Sequence, residues 1–255
     1  MSYPVTSFAG NAERWHVSQA RILPDLIDRP AAAMHAVVAR PKSWWWAAAL
    51  LVVILVAHTA MTAPYYEKIA SEAQTAALER VTSQLSEEQA EAVRAQASRA
   101  EARNGFLRST ITAIGGAFIG WLLWATGVHL GGLFFGGRGH FGTTWAVIVW
   151  SQLPRALSYL VTMAYTWIHD AVPTHEGLAY LVASGDVLAN ASNPAYMILS
   201  AVTPATLWSL ILLIVGSRVA LNLSRTAATI LVLLLWAVGL AIHLVPAMLM
   251  RGMVS

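Results

Sequence analysis

The chain has 255 residues, of which 57% are hydrophobic and only 11% are charged, and its mean hydropathy is +0.56. A soluble domain carries about 25% charged residues, so this composition argues against a water-soluble protein and for a surface covered largely by lipid. The net charge of +3 gives no reason to expect nucleic-acid binding, and the absence of cysteine excludes disulfides, thiolate metal sites and cysteine nucleophiles.

Five apolar segments are long enough to cross a membrane, whose hydrocarbon core of about 30 Å requires roughly 20 residues of helix. Because backbone amides in lipid must be paired within their own segment, each segment is predicted to be a helix. The predicted fold class is therefore all-α, a polytopic membrane helix bundle of five transmembrane helices that forms one membrane domain over residues 44–255. The five spans are residues 44–63, 107–130, 143–168, 196–216 and 227–250.

The N-terminal arm, residues 1–43, contains a short helical segment between Pro30 and Pro41. Met34 and Val37 share one face of this helix. Two arrangements remain open: an amphipathic helix lying along the cytoplasmic membrane surface, or a helix packed on the cytoplasmic side of the protein itself.

Between the first two spans, residues 65–104 are rich in Ala, Glu, Gln and Arg, which are strong helix formers. Ser86 followed by Gln89 fits a capping box that begins a second helix. The pattern predicts an extramembrane helical hairpin. Its apolar positions are few and small, so the hairpin either leans on a partner or is a solvated spacer.

The second span and its exit contain pairs of glycines four residues apart, a spacing that lets helix backbones approach closely. Packing within the bundle is favoured over a separate oligomer interface. The glycines are Gly116, Gly120, Gly127, Gly131, Gly132 and Gly136.

The stretch GGRGHFG that follows has the spacing G-x-G-x-x-G at Gly137, Gly139 and Gly142. A dinucleotide-binding fingerprint needs a strand before it and an acidic residue about twenty residues later. Here an apolar helix precedes the stretch, and the next acidic residue is Asp170. The stretch is therefore predicted to be a glycine-rich cytoplasmic turn.

The third span contains Pro154 and Arg155, and no Asp or Glu lies in any of the five spans to pair with this arginine. A charge inside the membrane is a candidate functional residue by default. Because proline interrupts a helix, a bend that brings Arg155 to the cytoplasmic headgroups is favoured over an anion-binding or substrate-path role.

Two groups of histidines are candidates for binding a cofactor or a metal. His58 and His243 stand at similar depths in the first and fifth spans, where they would suit axial haem ligation, although hydrogen bonding to neighbours is the more common role. The second group matches no strong metal template; it comprises His169, Asp170, His175 and Glu176. Since no catalytic motif is present, we assign no catalytic residue, cofactor or metal and expect a protein that is not an enzyme.

The distribution of Lys and Arg predicts the orientation. Basic residues precede the first span and follow the second and fourth, whereas residues 169–193 contain acidic residues but no Lys or Arg. The prediction is a multi-pass protein of the inner (plasma) membrane with its N-terminus in the cytoplasm and its C-terminus outside. The cytoplasmic basic residues are Arg29, Arg40, Lys42, Arg138 and Arg225.

Three stretches carry a resemblance to a known family: LIDRPAAAMHAVVARPKSWWW, GGRGHFGTTWAVIVWSQLP and LWSLILLIVGSRVALNLSRTAATI. Their order along the chain resembles the Yip1 family of five-span membrane proteins, in its bacterial branch. The matching positions are Pro30, Pro41, Gly136, Gly137, Gly139, Pro154, Trp208, Gly216, Ser224 and Arg225.

This resemblance implies a scaffold or assembly factor without catalytic residues, and some bacterial members look like companions of MacB-type ABC exporters. The leading hypothesis is a non-enzymatic accessory protein that contacts membrane lipid and binds another integral membrane complex or itself. Two alternatives stay open. One is a small-solute transporter or permease with Arg155 near its path, and the other is a haem or quinone subunit of a membrane redox complex.

Overall fold

A computed structural model describes residues 19–82, 86–87, 89–91 and 106–254. In this part the chain forms ten α-helices and no strand, which confirms the all-α class. The helices are α1 (Gln19–Asp28), α2 (Pro30–Ala39), α3 (Trp44–Thr82), α4 (Phe106–Phe134), α5 (Phe141–Trp150), α6 (Leu153–His169), α7 (Val187–Ala191), α8 (Pro194–Ser200), α9 (Pro204–Leu221) and α10 (Arg225–Val254). Short 3-10 turns lie at Pro41–Ser43 and Ala179–Leu181.

Four helical stretches in the described residues are long and apolar enough to cross a membrane. They are Pro41–Glu72, Arg108–Phe134, Pro204–Leu221 and Arg225–Val245. Their outer surfaces are apolar as well: Val53, Leu123 and Ile242 are 66%, 68% and 65% exposed. Soluble proteins rarely expose large apolar surfaces of this kind, so the surface fits a multi-pass membrane protein.

The third predicted span, residues 143–168, is divided into two helices, α5 and α6, at the place where Pro154 predicted a bend. The chain leaves α-helical geometry at Ser151 and Gln152, between α5 and α6. Pro154 gives the physical reason, because in a continuous helix its ring would clash with the carbonyl of Trp150. Pro154 instead lies in the first turn of α6, where a backbone N–H has no acceptor within the helix. The N–H that proline lacks therefore costs no helical hydrogen bond there.

The fourth predicted span, residues 196–216, begins too early. α8 and α9 are separate, and the apolar helix runs over Pro204–Leu221. Thr203 starts it, because its hydroxyl oxygen accepts a hydrogen bond from the backbone N–H of Thr206 at 3.0 Å. Such caps satisfy an otherwise unpaired N–H at a helix start.

Helix α5 forms the centre of the core. Every residue from 146 to 154 is buried, and α2, α3, α4 and α9 all pack around α5. Its sequence is apolar because it is surrounded by protein. The composition alone does not distinguish this environment from lipid.

Helix α2 packs on the bundle with Met34 and Val37 fully buried. It contacts α1, α5 and α9, which matches the second of the two arrangements left open above. Helix α1 was not predicted, and it covers α2 with Ile22 and Leu26. We call the end of the bundle that carries α1 and α2 the N-terminal side, and the end that carries Asp170 the opposite side.

Candidate functional site

The register between α3 and the chain of α5 and α6 is set by three side-chain contacts. In order from the N-terminal side, the pairs are Trp150 with Ser43, Tyr159 with His58, and Asp170 with Tyr65. From the first pair to the last, the numbering rises together on both helices, so α6 runs parallel to α3. Helix α6 therefore accompanies α3 along the stretch that the sequence predicts to lie in the membrane.

This register places Arg155 near the N-terminal side. The Nε1–H of Trp150 donates to Ser43 Oγ at 3.2 Å, and Arg155 follows Trp150 by five residues, roughly 7 Å along a helix. Its side chain is exposed. At this depth a long arginine side chain can extend to the headgroups next to Trp45 and Trp46. Arg155 thus lies exposed in the first turn after the break, and its place at the cytoplasmic headgroups stays a prediction.

Three of the six predicted packing glycines lie against other helices. A Cβ atom added to Gly131 would be 2.3 Å from Leu231 Cδ1, and one added to Gly132 would be 2.4 Å from Leu221 Cδ1. Gly127 approaches Leu235 in the same way, at 3.1 Å. These glycines allow α4 to pack closely on α10 and on the end of α9.

The other three predicted glycines have different surroundings. No atom of the described chain lies within 4 Å of a Cβ added to Gly116 or Gly120. Gly136 has φ +79° and ends α4, where the N–H of Gly137 bonds the carbonyl of Gly132 at 2.8 Å. This is the Schellman cap, which needs a residue in the left-handed region.

Helix α9 ends with the same kind of cap. Asn222 has φ +54°, and the N–H of Leu223 bonds the carbonyl of Arg218 at 3.2 Å. Asparagine tolerates this conformation better than most residues other than glycine. The sequence analysis missed this cap, although Asn222 just beyond an apolar run is its usual signal.

The two turns pack against each other through their backbones. The N–H of Arg138 donates to Leu221 O at 2.7 Å, and Asn222 Nδ2 donates to Arg138 O at 3.3 Å. A Cβ atom at Gly139 would lie 2.2 Å from Ala220 O. The glycines of GGRGHFG therefore serve close backbone packing, and the described residues on both sides of the stretch are helical.

The predicted basic residues are gathered on the N-terminal side. Arg29 and Arg40 flank α2, Lys42 precedes α3, and Arg138 and Arg225 belong to the two packed turns. All five are exposed. The opposite side carries Asp170, Glu176 and Asp186 in its connection. These five basic residues thus lie on the side that also carries Asp25 and Asp28, and the connection 169–193 on the opposite side contains acidic residues without Lys or Arg.

The two membrane histidines have separate environments. The ring of His58 lies 4.8 Å from the ring of Tyr159, centroid to centroid. His243 is exposed on α10. No ring contact or hydrogen bond joins the two among the described residues, so nothing in this arrangement favours a shared haem.

The second histidine group is held by contacts within the protein. Asp170 accepts a hydrogen bond from the hydroxyl of Tyr65, and His175 Nδ1 lies 3.1 Å from the hydroxyl oxygen of Tyr196. Within the residues that the structure describes, no group of three or more His, Asp or Glu side chains is arranged to hold a metal ion.

A groove that the sequence analysis did not identify opens between α3, α4 and α6, towards the opposite side. It has a volume of about 340 Å³. Its lining residues follow one face of α3 and are joined by residues from the other two helices: Leu55, His58, Thr59, Thr62, Ala63, Tyr66, Glu67, Ser109, Ala113 and Tyr159. The lining residues of α3 recur at intervals of three and four positions, so the sequence alone indicates that they share one face of this helix.

The apolar helices and exposed apolar surface define a multi-pass integral membrane protein. The Yip1 domain matches residues 25–245, from within α1 to within α10. The chain therefore belongs to the Yip1 family, as its sequence resemblance predicted. No curated protein matches it, and no solved structure matches it.

Proposed function

We propose that this protein is a non-enzymatic membrane scaffold that binds another integral membrane complex through the extramembrane part of α3. The observation that carries the proposal is the length of this helix, which runs unbroken for 39 residues from Trp44 to Thr82. At 1.5 Å per residue it is about 58 Å long, roughly twice the hydrocarbon core. Its last turns therefore project beyond the membrane as an arm.

The proposal includes five membrane crossings, with α6 as the third. Helix α6 has only 17 residues, about 25 Å. The register of α5 and α6 together against α3 and the turn before it nevertheless extends from Ser43 to Tyr65, which supports counting this segment as a crossing. A short span is accommodated by local thinning of the bilayer at modest cost.

The proposed location is the inner membrane of a bacterium, with the N-terminus in the cytoplasm. The exposed Arg and Lys residues on the N-terminal side support this orientation, because cytoplasmic loops carry an excess of basic residues. The arm of α3 then projects outside the cell membrane, where it meets extracytoplasmic parts of other membrane complexes.

The arm presents a polar face suited to a protein partner. Lys68, Glu72, Thr75 and Glu79 recur at intervals of four, three and four residues and are all exposed. This spacing places them on one side of the helix. The class of partner implied by the family resemblance is a MacB-type ABC exporter or its periplasmic adaptor.

The proposal is tested by purifying the tagged protein from its native membranes in mild detergent and quantifying what accompanies it. The double variant Glu72→Lys with Glu79→Lys reverses the charge of the arm. We expect it to lower the yield of the partner at least tenfold, about 1.4 kcal/mol of binding free energy. The matched control is Ala70→Lys, which adds a charge to an exposed position on another side of the same helix.

Two results would count against the scaffold. If no membrane protein accompanies the wild-type chain in near-equal amount, the binding function is wrong. If a partner accompanies both the wild-type chain and the double variant equally, the arm is not its binding site.

A transporter is the second candidate, and the break between α5 and α6 is the observation that favours it. Discontinuous helices often form substrate sites in transporters, and here the break contains Gln152, a buried polar residue, with Arg155 in the next turn. Uptake of radiolabelled phosphate into proteoliposomes would test an anion path. Transport that is lost in Arg155→Ala would support this function over the scaffold.

A further inference from the structure

The groove between α3, α4 and α6 has apolar walls despite its threonines. Thr59 Oγ1 donates to Leu55 O, and Thr62 Oγ1 donates to His58 O, both at 2.8 Å. These hydroxyls are therefore used by their own helix, and their methyl groups remain for contact. Ala63 and Ala113 add further small apolar surface.

The dimensions of the groove match a single hydrocarbon chain. Along α3 it extends from Leu55 to Glu67, a rise of about 18 Å. One leaflet of the hydrocarbon core is about 15 Å thick. A volume of about 340 Å³ spread along this length makes the groove narrow, so it suits a slender chain rather than a helix, whose diameter with side chains is about 10–12 Å.

The groove is open along its length, so it faces lipid in a membrane. An unfilled groove would forfeit dispersion contacts along its walls. Its deep end at Leu55 lies near the middle of the bilayer, and its mouth lies at Tyr66 and Glu67 on the opposite side. An acyl chain of a lipid in the leaflet on the opposite side runs the same way, from the headgroup region towards the middle of the bilayer.

The mouth of the groove is polar and carries a negative charge. Glu67 is the single charged residue among those that line the groove, and it is exposed. The hydroxyl groups of Tyr66 and Ser109 lie at the same end. A carboxylate favours an ammonium group through a charge-assisted hydrogen bond and disfavours an anionic headgroup.

We propose that this groove binds one phospholipid of the leaflet on the opposite side, with an acyl chain along α3 and an ethanolamine headgroup at Glu67. The inference is independent of the scaffold function, because it rests on the shape and charge of the groove alone. The lipid fills the groove that remains open between the three helices.

The test uses the full-length protein reconstituted in nanodiscs that contain equal amounts of phosphatidylethanolamine and phosphatidylglycerol. Native mass spectrometry after transfer to detergent counts the lipids that remain bound. We expect one retained phosphatidylethanolamine per chain. Ala63→Phe fills the groove and should lower this retention at least fivefold, whereas Ala60→Phe, at an exposed position outside the groove lining, should not.

The headgroup is tested separately. Glu67→Gln should reduce the preference for phosphatidylethanolamine over phosphatidylglycerol at least threefold, and Glu87→Gln, at an exposed position outside the groove, should leave it unchanged. Ala113→Leu blocks the groove from α4 and serves as a second variant if Ala63→Phe fails to give a monodisperse, helical protein.

Three results would overturn the inference. Retention that is unchanged in both groove-filling variants would show that the lipid binds elsewhere. Equal retention of the two lipids by the wild-type chain would contradict the ethanolamine assignment. A photo-crosslinker at position 63 that captures a protein helix in native membranes, rather than lipid, would assign the groove to a protein partner.

Discussion

Towards the N-terminal side, glycines lie against neighbouring segments, whereas in the middle of α4 two glycines face no other part of the described chain. At Gly139 and Gly216 an added Cβ atom would lie 2.2 Å from Ala220 O and 2.3 Å from Val147 Cγ1. At Gly116 and Gly120 nothing in the described chain lies within 4 Å. The same residue type thus occupies two different environments in one bundle.

The difference indicates that packing between helices varies along the bundle axis. In membranes, helix association depends on van der Waals packing and hydrogen bonds, because lipid is as apolar as the side chains. The N-terminal side, where these contacts are dense, is therefore expected to hold most of the stability. The opposite side has a groove, and the middle of α4 has an open glycine face at Gly116 and Gly120; both suit contacts with lipid or with another protein.

The largest effect is expected for Gly139→Ala. The new methyl group would collide with a backbone carbonyl, so the two turns must separate, and the bond from Arg138 N to Leu221 O would be strained. The free energy of unfolding should fall by about 2–3 kcal/mol, measured by denaturation in detergent micelles. Gly142→Ala, where a Cβ atom meets nothing within 4 Å, is the control. Equal stability of the two variants would contradict the packing described here.

A smaller loss is expected for Gly216→Ala, because its methyl group would meet side chains rather than backbone. The nearest atoms are Val147 Cγ1 at 2.3 Å and Met34 Sδ at 3.0 Å. We expect a loss of about 1–2 kcal/mol in the free energy of unfolding. Combining it with Val147→Ala should recover part of that loss, since the two residues share one space. Purely additive effects in the double-mutant cycle would argue against this contact.

The sequence sufficed to identify the long spans. Residues 44–63, 107–130 and 227–250 all lie inside single helices, α3, α4 and α10. The physical reason is general: a segment in lipid must be long, apolar and helical, so its composition determines its structure. The family could also be recognised, because the order of its motifs is preserved along the chain.

The third span could not be predicted from hydropathy, because α5 is equally apolar in a protein core and in lipid. Pro154 was the informative residue, since it indicated a break. The groove and the contact between the two turns depend on which helices become neighbours, and one sequence does not contain that information locally. Helix α1 was missed because Pro24 lies inside it, although Ile22 and Leu26 had helical spacing.

The N-terminal side and the opposite side can be compared through two hydrogen bonds. Each bond connects α3, or the turn just before it, with the segment formed by α5 and α6. Trp150 donates to Ser43 in a buried site, whereas Tyr65 donates to Asp170 in an exposed one. Trp150→Phe should therefore cost about 1 kcal/mol of unfolding free energy, and Tyr65→Phe should cost well under that, as exposed pairs do. Tyr66→Phe is the control for the second variant. A larger loss for Tyr65→Phe would reverse the proposed distribution of stability.

The smallest effect, and one of opposite sign, is expected for Gly120→Ala. Because an added Cβ atom meets nothing within 4 Å, the variant should only gain helix propensity, about 0.5–1 kcal/mol of unfolding free energy in the isolated protein. A loss of stability would show that the described chain packs against this glycine after all. If Gly120→Ala is more stable alone yet retains less of a co-purifying membrane protein, the open glycine face is a contact surface for that protein. A gain in stability with unchanged co-purification would leave this face in contact with lipid, because a methyl group there then disturbs no protein neighbour.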